Sequence, residues 1–163
     1  MDIRLIRHNA VWKNGSLLTG ALFLFISCLY SKPVFSEEPG CPKLAPCPSS
    51  PNCISTQSTN PDKYMPPLPY AANAEESRSI IRSIIESMPR SNIVEEKAHY
   101  IHAEFRSLIF RFVDDIEFLF DEEAKTIHFR SASRAGYSDF GVNRRRMQNI
   151  SERYLEILGN INR

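Results

Sequence analysis

The segment at positions 130–146 reads RSASRAGYSDFGVNRRR and concentrates side chains that could bind an anion or pair with acids. Its last three residues, Arg144, Arg145 and Arg146, fall in the first turn of a predicted helix. Cations are unfavourable at that end, because the helix dipole presents partial positive charge there. Either carboxylates of a neighbouring sheet neutralise the arginines, or the guanidinium groups and free helix amides form an anion site. Pairing is the more ordinary outcome, and the sequence leaves both alternatives open.

Acidic residues are in excess in the part of the chain that precedes these arginines. Residues 95–123 hold nine acids and three basic residues, and Asp114, Asp115 and Glu117 are the expected partners. Asp114 shares its strand face with apolar residues, where an unpaired carboxylate would be costly. We therefore predict that Asp114 or Asp115 contacts an arginine and joins the last helix to the sheet. The candidate arginines are Arg130, Arg134, Arg144, Arg145 and Arg146.

The same segment supplies further polar groups, which are Ser131, Ser133, Asp139 and Asn143. They could form a hydrogen-bonded connector between the sheet and the last helix. In the alternative, a hydrolase would combine one of the serines with His128 and with Asp114 or Asp115 in a triad. No sequence signature singles out such a serine, so the catalytic residues stay unassigned.

A metal site would require His102, His128 and Asp115 to meet across strands, in a register that the sequence does not reveal. The chain has no phosphate loop, dinucleotide fingerprint, zinc-type Cys/His spacing or nucleophile elbow. We therefore predict neither a metal nor a cofactor.

Three cysteines, Cys41, Cys47 and Cys53, are spaced in a way that matches no common zinc site. The last two bracket the sequence PSSPN, in which a turn would bring their thiols together. We predict a Cys47–Cys53 disulfide, which leaves Cys41 free or paired between molecules. A Cys41–Cys47 pair is the competing alternative. Either disulfide is typical of an oxidising compartment.

The first 36 residues have the layout of a secretory signal peptide. Basic residues precede an apolar run at residues 17–30, and small residues lead to a cleavage site after Ser36. We predict export to the periplasm or cell envelope. The alternatives are a lipoprotein acylated at Cys28 and an anchor retained as an uncleaved signal. As a helix the run would span about 21 Å, short of a bilayer core about 30 Å thick.

The remaining chain divides into an arm and a domain. Ten of the eleven prolines lie between Pro33 and Pro69, so we predict that residues 37–72 form an extended arm with a cysteine loop. Asn73 caps a helix that Pro89 ends. Alternating patterns predict strands at 91–96, 100–106, 112–120 and 126–133. A last helix begins near Asn143 and ends at Gly159.

These elements make residues 73–163 an α+β domain. We predict a small two-layer sandwich, in which an antiparallel meander of three to four strands is flanked by an N-terminal and a C-terminal helix. The sequence Leu108-Ile109-Phe110 lies at a hairpin connection that lacks turn residues. It is either strand core or a small exposed apolar patch for a partner or a membrane.

The composition is that of an ordinary globular protein, with 42% hydrophobic and 24% charged residues in 163. The formal net charge of +1 argues against a general nucleic-acid binder. Removal of the first 36 residues would leave sixteen basic and eighteen acidic residues, so the small positive excess belongs to the predicted signal.

Three blocks of sequence resemble a known family. They are CPSSPNCIS at 47–55, FVDDIEF at 112–118, and RSASRAGYSDFGVNRRR at 130–146, and together they resemble domain-of-unknown-function family 1499 over roughly residues 44–158. The family occurs in bacterial envelope proteins and in plastid proteins, so the resemblance implies an exported protein but no particular reaction. It directs attention to Asp114, Asp115, Glu117, Arg130, Ser131, Ser133, Arg134, Asp139, Asn143 and Arg144.

We therefore expect a non-enzymatic binding or structural module that uses the segment at positions 130–146, which we call the Arg/Asp/Ser-rich loop. Its expected partners are an anionic ligand or an envelope protein, with transient membrane contact and no nucleic acid. The alternative is a hydrolase with an acid/Ser/His pocket. A closed pocket lined by those groups would favour the enzyme, whereas a flat network with every arginine paired would favour the module.

Overall fold

The computed structural model describes residues 43–161 and residue 163. The predicted signal peptide, its cleavage site at Ser36, the alternative at Cys28 and the odd thiol of Cys41 lie outside the described residues. Within the described ranges, no helix is both long enough and apolar enough to cross a membrane.

The described chain forms an antiparallel sheet with two helices. The strands are β1 (Cys53–Ser55), β2 (Leu68–Pro69), β3 (Ser91–Lys97), β4 (Tyr100–Arg106), β5 (Val113–Asp121) and β6 (Thr126–Ser133). The helices are α1 (Ala74–Glu86) and α2 (Val142–Ile161), and a short 3-10 turn covers Pro61–Lys63. The strand order is β1-β6-β5-β4-β3, and β2 also pairs with β6.

The fold class is α+β, as predicted, but the sheet has six strands rather than three or four. The two additional strands, β1 and β2, come from the proline-rich segment that we expected to be an extended arm. They are three and two residues long, too short to show an alternating pattern. Pro69 is tolerated because β2 lies at an edge, where one side of the strand needs no ladder bond.

Alternation along β4, β5 and β6 gives the sheet one buried face and one half-exposed face. The buried face packs against both helices in a single hydrophobic core. Its largest fully buried side chains are Tyr154, Phe118, Phe120, Phe129, Ile81, Ile84, Ile85, Ile101, Ile116, Ile127, Met147 and Ile150. The segment before α1 adds Ile54, Met65, Leu68 and Tyr70 to this core.

The predicted start of α1 is confirmed, because the Asn73 side chain accepts a hydrogen bond from the Glu76 amide at 2.9 Å. The predicted end of the last helix is wrong, since α2 continues past Gly159 to Ile161. The predicted strand at 112–120 begins one residue later in the structure, at Val113, and Phe112 is not part of it. This side chain precedes β5 and is 51% exposed.

Candidate functional site

The strand register places the predicted polar residues in two clusters on opposite sides of the sheet. Asp114 pairs with Ser133, and Glu117 pairs with Arg130. Asp114 is 7% exposed on the helix side, whereas Asp115 and Glu117 lie on the half-exposed face. The alternation of strand side chains therefore separates two neighbouring carboxylates.

The helix-side network consists of Asn52, Asp114, Ser131, Ser133, Asn143 and Arg146. Arg146 donates to Asp114 Oδ2 at 2.7 Å and to Asn143 Oδ1 at 2.9 Å. Its guanidinium also lies 4.8 Å from the ring centroid of Phe105, which adds a cation–π contact. The predicted contact between Asp114 and an arginine of the last helix is therefore confirmed.

Asn143 is the centre of this network and is 1% exposed. Its Oδ1 atom accepts from Ser131 Oγ at 2.6 Å. Its Nδ2 group donates to Ser133 Oγ and to the Asn52 carbonyl, each at 3.0 Å. One side chain thus joins the start of α2, the end of β6 and the residue before β1.

The loop between β6 and α2 is held by its own side chains. Asp139 accepts from the amide of Gly141 at 3.0 Å and from the amide of Asn143 at 2.7 Å. A carboxylate here offsets the positive end of the helix dipole. Gly136 has a φ of 88°, a conformation that favours glycine, and its carbonyl accepts from Asn52 Nδ2 at 2.7 Å.

The three consecutive arginines do not converge on a common point. Arg146 pairs with Asp114, while Arg145 donates to the carbonyl of Phe140 at 2.9 Å. Arg144 reaches the carbonyls of Asp62 and Tyr64, at 2.6 and 3.3 Å. Each guanidinium is thus used within the protein, in the manner expected of a structural connector.

The open-face network consists of Tyr100, His102, Glu104, Asp115, Glu117, Arg130 and Arg134. Arg134 donates to both oxygens of Asp115 at 2.7 Å and to Glu104 at 2.6 Å, and His102 Nε2 lies 2.7 Å from Asp115 Oδ1. Glu117 accepts from Tyr100 at 2.7 Å and from Arg130 at 2.9 Å. Glu117 and Arg130 lie directly opposite each other with opposite charges, an arrangement that stabilises a sheet, whereas the carboxylates of Glu104 and Asp115 face each other and share Arg134.

The electrostatics of the half-exposed face favour the ionised forms of Asp115 and Glu104. Burial alone would raise the pKa of Asp115, but hydrogen bonds from Arg134 and His102 outweigh it and hold that pKa below its usual value. The hydrogen bond from Arg134 likewise lowers the pKa of Glu104. Burial and the hydrogen bond to Glu117 raise the pKa of the Tyr100 phenol, which stays protonated as a donor.

The groups that a hydrolase would need are divided by the sheet. Ser131 and Ser133 bond to Asn143 on the helix side, whereas His128 and His102 lie on the other face. The Nδ1 atom of His128 lies 3.2 Å from Thr56 Oγ1, and burial lowers the pKa of this imidazole. A triad of either serine with His128 is therefore incompatible with this fold.

The predicted disulfide between Cys47 and Cys53 is present, with a Cα–Cα distance of 5.7 Å. The buried ammonium of Lys63 donates to the carbonyls of Pro48 and Ser50, and so holds the loop that the disulfide closes. A surface cavity of about 670 Å³ lies beside this loop. Its lining holds Lys43 and Lys63 but neither an acid nor a histidine.

Some residues of these clusters were missed by the sequence analysis. Asn52 lies inside the cysteine loop, and two of its partners, Gly136 and Asn143, are more than eighty residues away in sequence. Tyr100 and Glu104 were not among the candidate residues, because their partners depend on the register between β4 and β5. No group of three histidine, cysteine or acidic residues suited to a metal occurs within the described ranges.

A comparison of the chain with known protein families identifies the same family that the three sequence blocks resemble. The family described as "Protein of unknown function (DUF1499)" matches residues 43–153, a range that contains both networks and the disulfide. No curated protein and no solved structure matches the chain. Since the match covers more than half of the sequence, the chain belongs to the DUF1499 family.

Proposed function

We propose that this chain is an exported cell-envelope protein whose DUF1499 domain is a non-enzymatic binding or structural module. In this proposal the Arg/Asp/Ser-rich loop maintains the fold, and it presents neighbouring surfaces to a partner. The observation that carries the proposal is the position of Asn143, a buried side chain with four partners on β6, α2 and the segment before β1.

The separate positions of the arginines' partners support the same conclusion. A site for a small anion needs guanidinium groups that converge and have spare donors. In this loop Arg144, Arg145 and Arg146 have separate partners, and Arg130 and Arg134 pair with acids of the open face. The flat network with paired arginines is the arrangement that we expected of a module rather than an enzyme.

Export is supported by two independent features of the chain. The first 36 residues have the charge and hydropathy layout of a signal peptide. The Cys47–Cys53 disulfide requires an oxidising environment to persist. We infer that the chain is cleaved after Ser36 and functions in the periplasm or envelope.

A substrate panel tests the non-enzymatic role. The parent protein and a His102→Gln, His128→Gln, Ser133→Ala triple variant are compared on ester, phosphoester and amide substrates, and circular dichroism verifies that both are folded. We expect no turnover by the parent above that of the triple variant. Turnover that is present in the parent and lost in the folded variant would establish the hydrolase alternative.

N-terminal sequencing of the protein isolated from an envelope fraction tests export. We expect the mature chain to begin at Glu37. A Ser36→Tyr variant, in which a bulky residue blocks the cleavage site, should retain the full N-terminal segment. A parent chain that keeps Met1, or that begins with an acylated Cys28, would contradict cleavage after Ser36.

A further inference from the structure

One end of the sheet carries an exposed apolar surface that neither network uses. The connection between β4 and β5 exposes Leu108 (73%), Ile109 (78%), Phe110 (73%) and Phe112 (51%). The connection between β6 and α2 adds Tyr137 (78%) and Phe140 (86%). We call these six side chains the apolar tip. Exposed patches of this kind mark interaction surfaces in otherwise soluble domains.

The two connections leave the sheet at the same end. The strands are antiparallel, so the end of β4, the start of β5 and the end of β6 lie side by side. The Arg134 amide donates to the Val113 carbonyl at 2.9 Å, which ties the roots of the two loops together. The second loop then turns towards the segment before β1, where the Gly136 carbonyl accepts from Asn52 Nδ2 at 2.7 Å.

The shape of the first loop is convex. Ser107 and Phe112 close it, since the Ser107 amide donates to the Phe112 carbonyl at 2.9 Å and the Phe112 amide donates to Ser107 Oγ at 2.9 Å. Residues 108–111 therefore project beyond the last strand pair. Leu108, Ile109 and Phe110 on this turn are each 73–78% exposed, so their burial needs an environment that surrounds the whole loop. Fluid acyl chains can surround every one of them.

Charge around the tip complements an anionic surface. Residues 105–113 contain two arginines and no acid, and since Arg106 pairs with Glu104 at 3.2 Å, Arg111 is the cation that the loop presents. Arg111 lies in sequence between Phe110 and Phe112, whose rings stack on each other; it is exposed and makes no ion pair with any described residue. Its aliphatic stem can lie along apolar surface while its guanidinium stays at the level of the headgroups. Basic residues near an anionic leaflet add electrostatic attraction.

We propose that the apolar tip docks the domain onto an anionic lipid bilayer, with Leu108, Ile109 and Phe110 inserted at the interface. Tyr137 and Phe140 border the inserted loop, where aromatic side chains favour the headgroup region. This docking rests on the proposed non-enzymatic module and names the surface to which that module binds.

Hydrogen exchange of the full chain tests the docking site directly. Exchange is measured with and without vesicles of phosphatidylglycerol and phosphatidylcholine in equal amounts. We expect vesicles to slow exchange in residues 107–112 and 136–141, with no change in α1. Vesicles of phosphatidylcholine alone, or high salt, should weaken this protection, because the electrostatic attraction is lost. Unchanged exchange in residues 107–112 would overturn the proposal, even if residues 1–36 were protected.

Substitutions distinguish vesicle binding by the apolar tip from vesicle binding by the rest of the chain. Ile109→Ser should lower the vesicle partition coefficient by about tenfold, which corresponds to about 1.4 kcal/mol. Arg111→Glu should abolish the preference for anionic vesicles. The matched controls are Leu155→Ser, a 47% exposed leucine on α2, and Lys97→Glu, an exposed cation at the other end of the sheet. Both controls should bind as the parent does.

Two results would overturn lipid docking and leave the non-enzymatic role standing. Tip variants that partition like the parent would assign membrane binding to another part of the chain. Self-association that Ile109→Ser abolishes, without vesicle binding by the parent, would assign the tip to a second copy of this chain. The substrate panel is independent of both results, so the two proposals fail separately.

Discussion

Asp114 is the residue at which sequence pattern and chemistry disagree most clearly. Its position on β5 belongs to a run of apolar side chains, and the sequence therefore predicted an arginine partner. The structure assigns that partner to Arg146, whose side chain and that of Asp114 are 12% and 10% exposed. The sequence could not select Arg146, because the choice depends on which face of α2 meets β5 and β6.

A double-mutant cycle on this pair measures its contribution to stability. Asp114→Ala should lower the free energy of unfolding by about 3 kcal/mol, because it leaves the Arg146 guanidinium buried without its counter-ion. Arg146→Met should have a similar cost, and the double variant should cost less than the sum. Urea denaturation gives the four values.

The exposed pair of Lys97 and Glu95 is the control for that cycle, with side chains 68% and 42% exposed. Its removal should cost less than about 1 kcal/mol. Additive effects of Asp114→Ala and Arg146→Met would mean that the two side chains do not stabilise each other.

His128 makes stability depend on pH. Burial lowers the pKa of its imidazole below the usual value of about 6.5. The imidazole of the unfolded chain therefore takes up its proton at a higher pH than that of the folded chain. Its contribution is therefore present above about pH 6.5 and is lost as the pH falls from there to the folded pKa. We expect the urea midpoint to fall between about pH 7.5 and pH 5.5, and to fall less in His128→Gln.

His99, which is 58% exposed on the turn between β3 and β4, provides the control for this pH dependence. A His99→Gln variant should keep the slope of the parent. Identical slopes in the parent and in His128→Gln would show that another group is responsible for the change.

At the scale of elements, the sequence predicted those helices and strands that have a periodic pattern of apolar residues. Both helices and the four longer strands are present where apolar periodicity placed them. It did not predict β1 and β2, because strands of three and two residues owe their existence to pairing with β6 rather than to their own pattern. Of the open-face network, the sequence named Asp115, Glu117, Arg130 and Arg134 as candidate partners. It did not name Tyr100 and Glu104, because their contacts depend on the register between β4 and β5.

The disulfide belongs to this scale, because it anchors the segment that becomes β1. A Cys47→Ser, Cys53→Ser variant should lose roughly 2 kcal/mol of stability, since the bond restricts a short loop in the unfolded chain. Reductant should shift the urea midpoint of the parent to that of the variant and should leave the variant unchanged. Non-reducing peptide mapping should link Cys47 to Cys53. A Cys41–Cys47 linkage would contradict this account.

At the scale of the molecule, the two networks divide the tasks of the domain. The helix-side network holds the segment before β1, the sheet and α2 in one arrangement, and the open-face network covers the exposed side of the sheet with paired charges. Their arginines are used in these contacts, whereas the loop between β4 and β5 combines exposed apolar side chains with Arg111, which makes no ion pair with any described residue. The central claim is therefore that the Arg/Asp/Ser-rich loop is structural.

Native-state hydrogen exchange of an Asn143→Ala variant tests that claim most directly, with Asn143→Ser as a milder change. If Asn143 joins three parts of the fold, its loss leaves buried groups without partners, at a cost of about 1–3 kcal/mol. Protection should then decrease together in residues 52–56, 131–134 and 142–147, while α1 keeps its protection. An Asn149→Ala control, at an exposed position of α2, should exchange as the parent does. Unchanged protection in all three segments of the Asn143 variants would contradict the account, and the loop would then be free to bind a ligand.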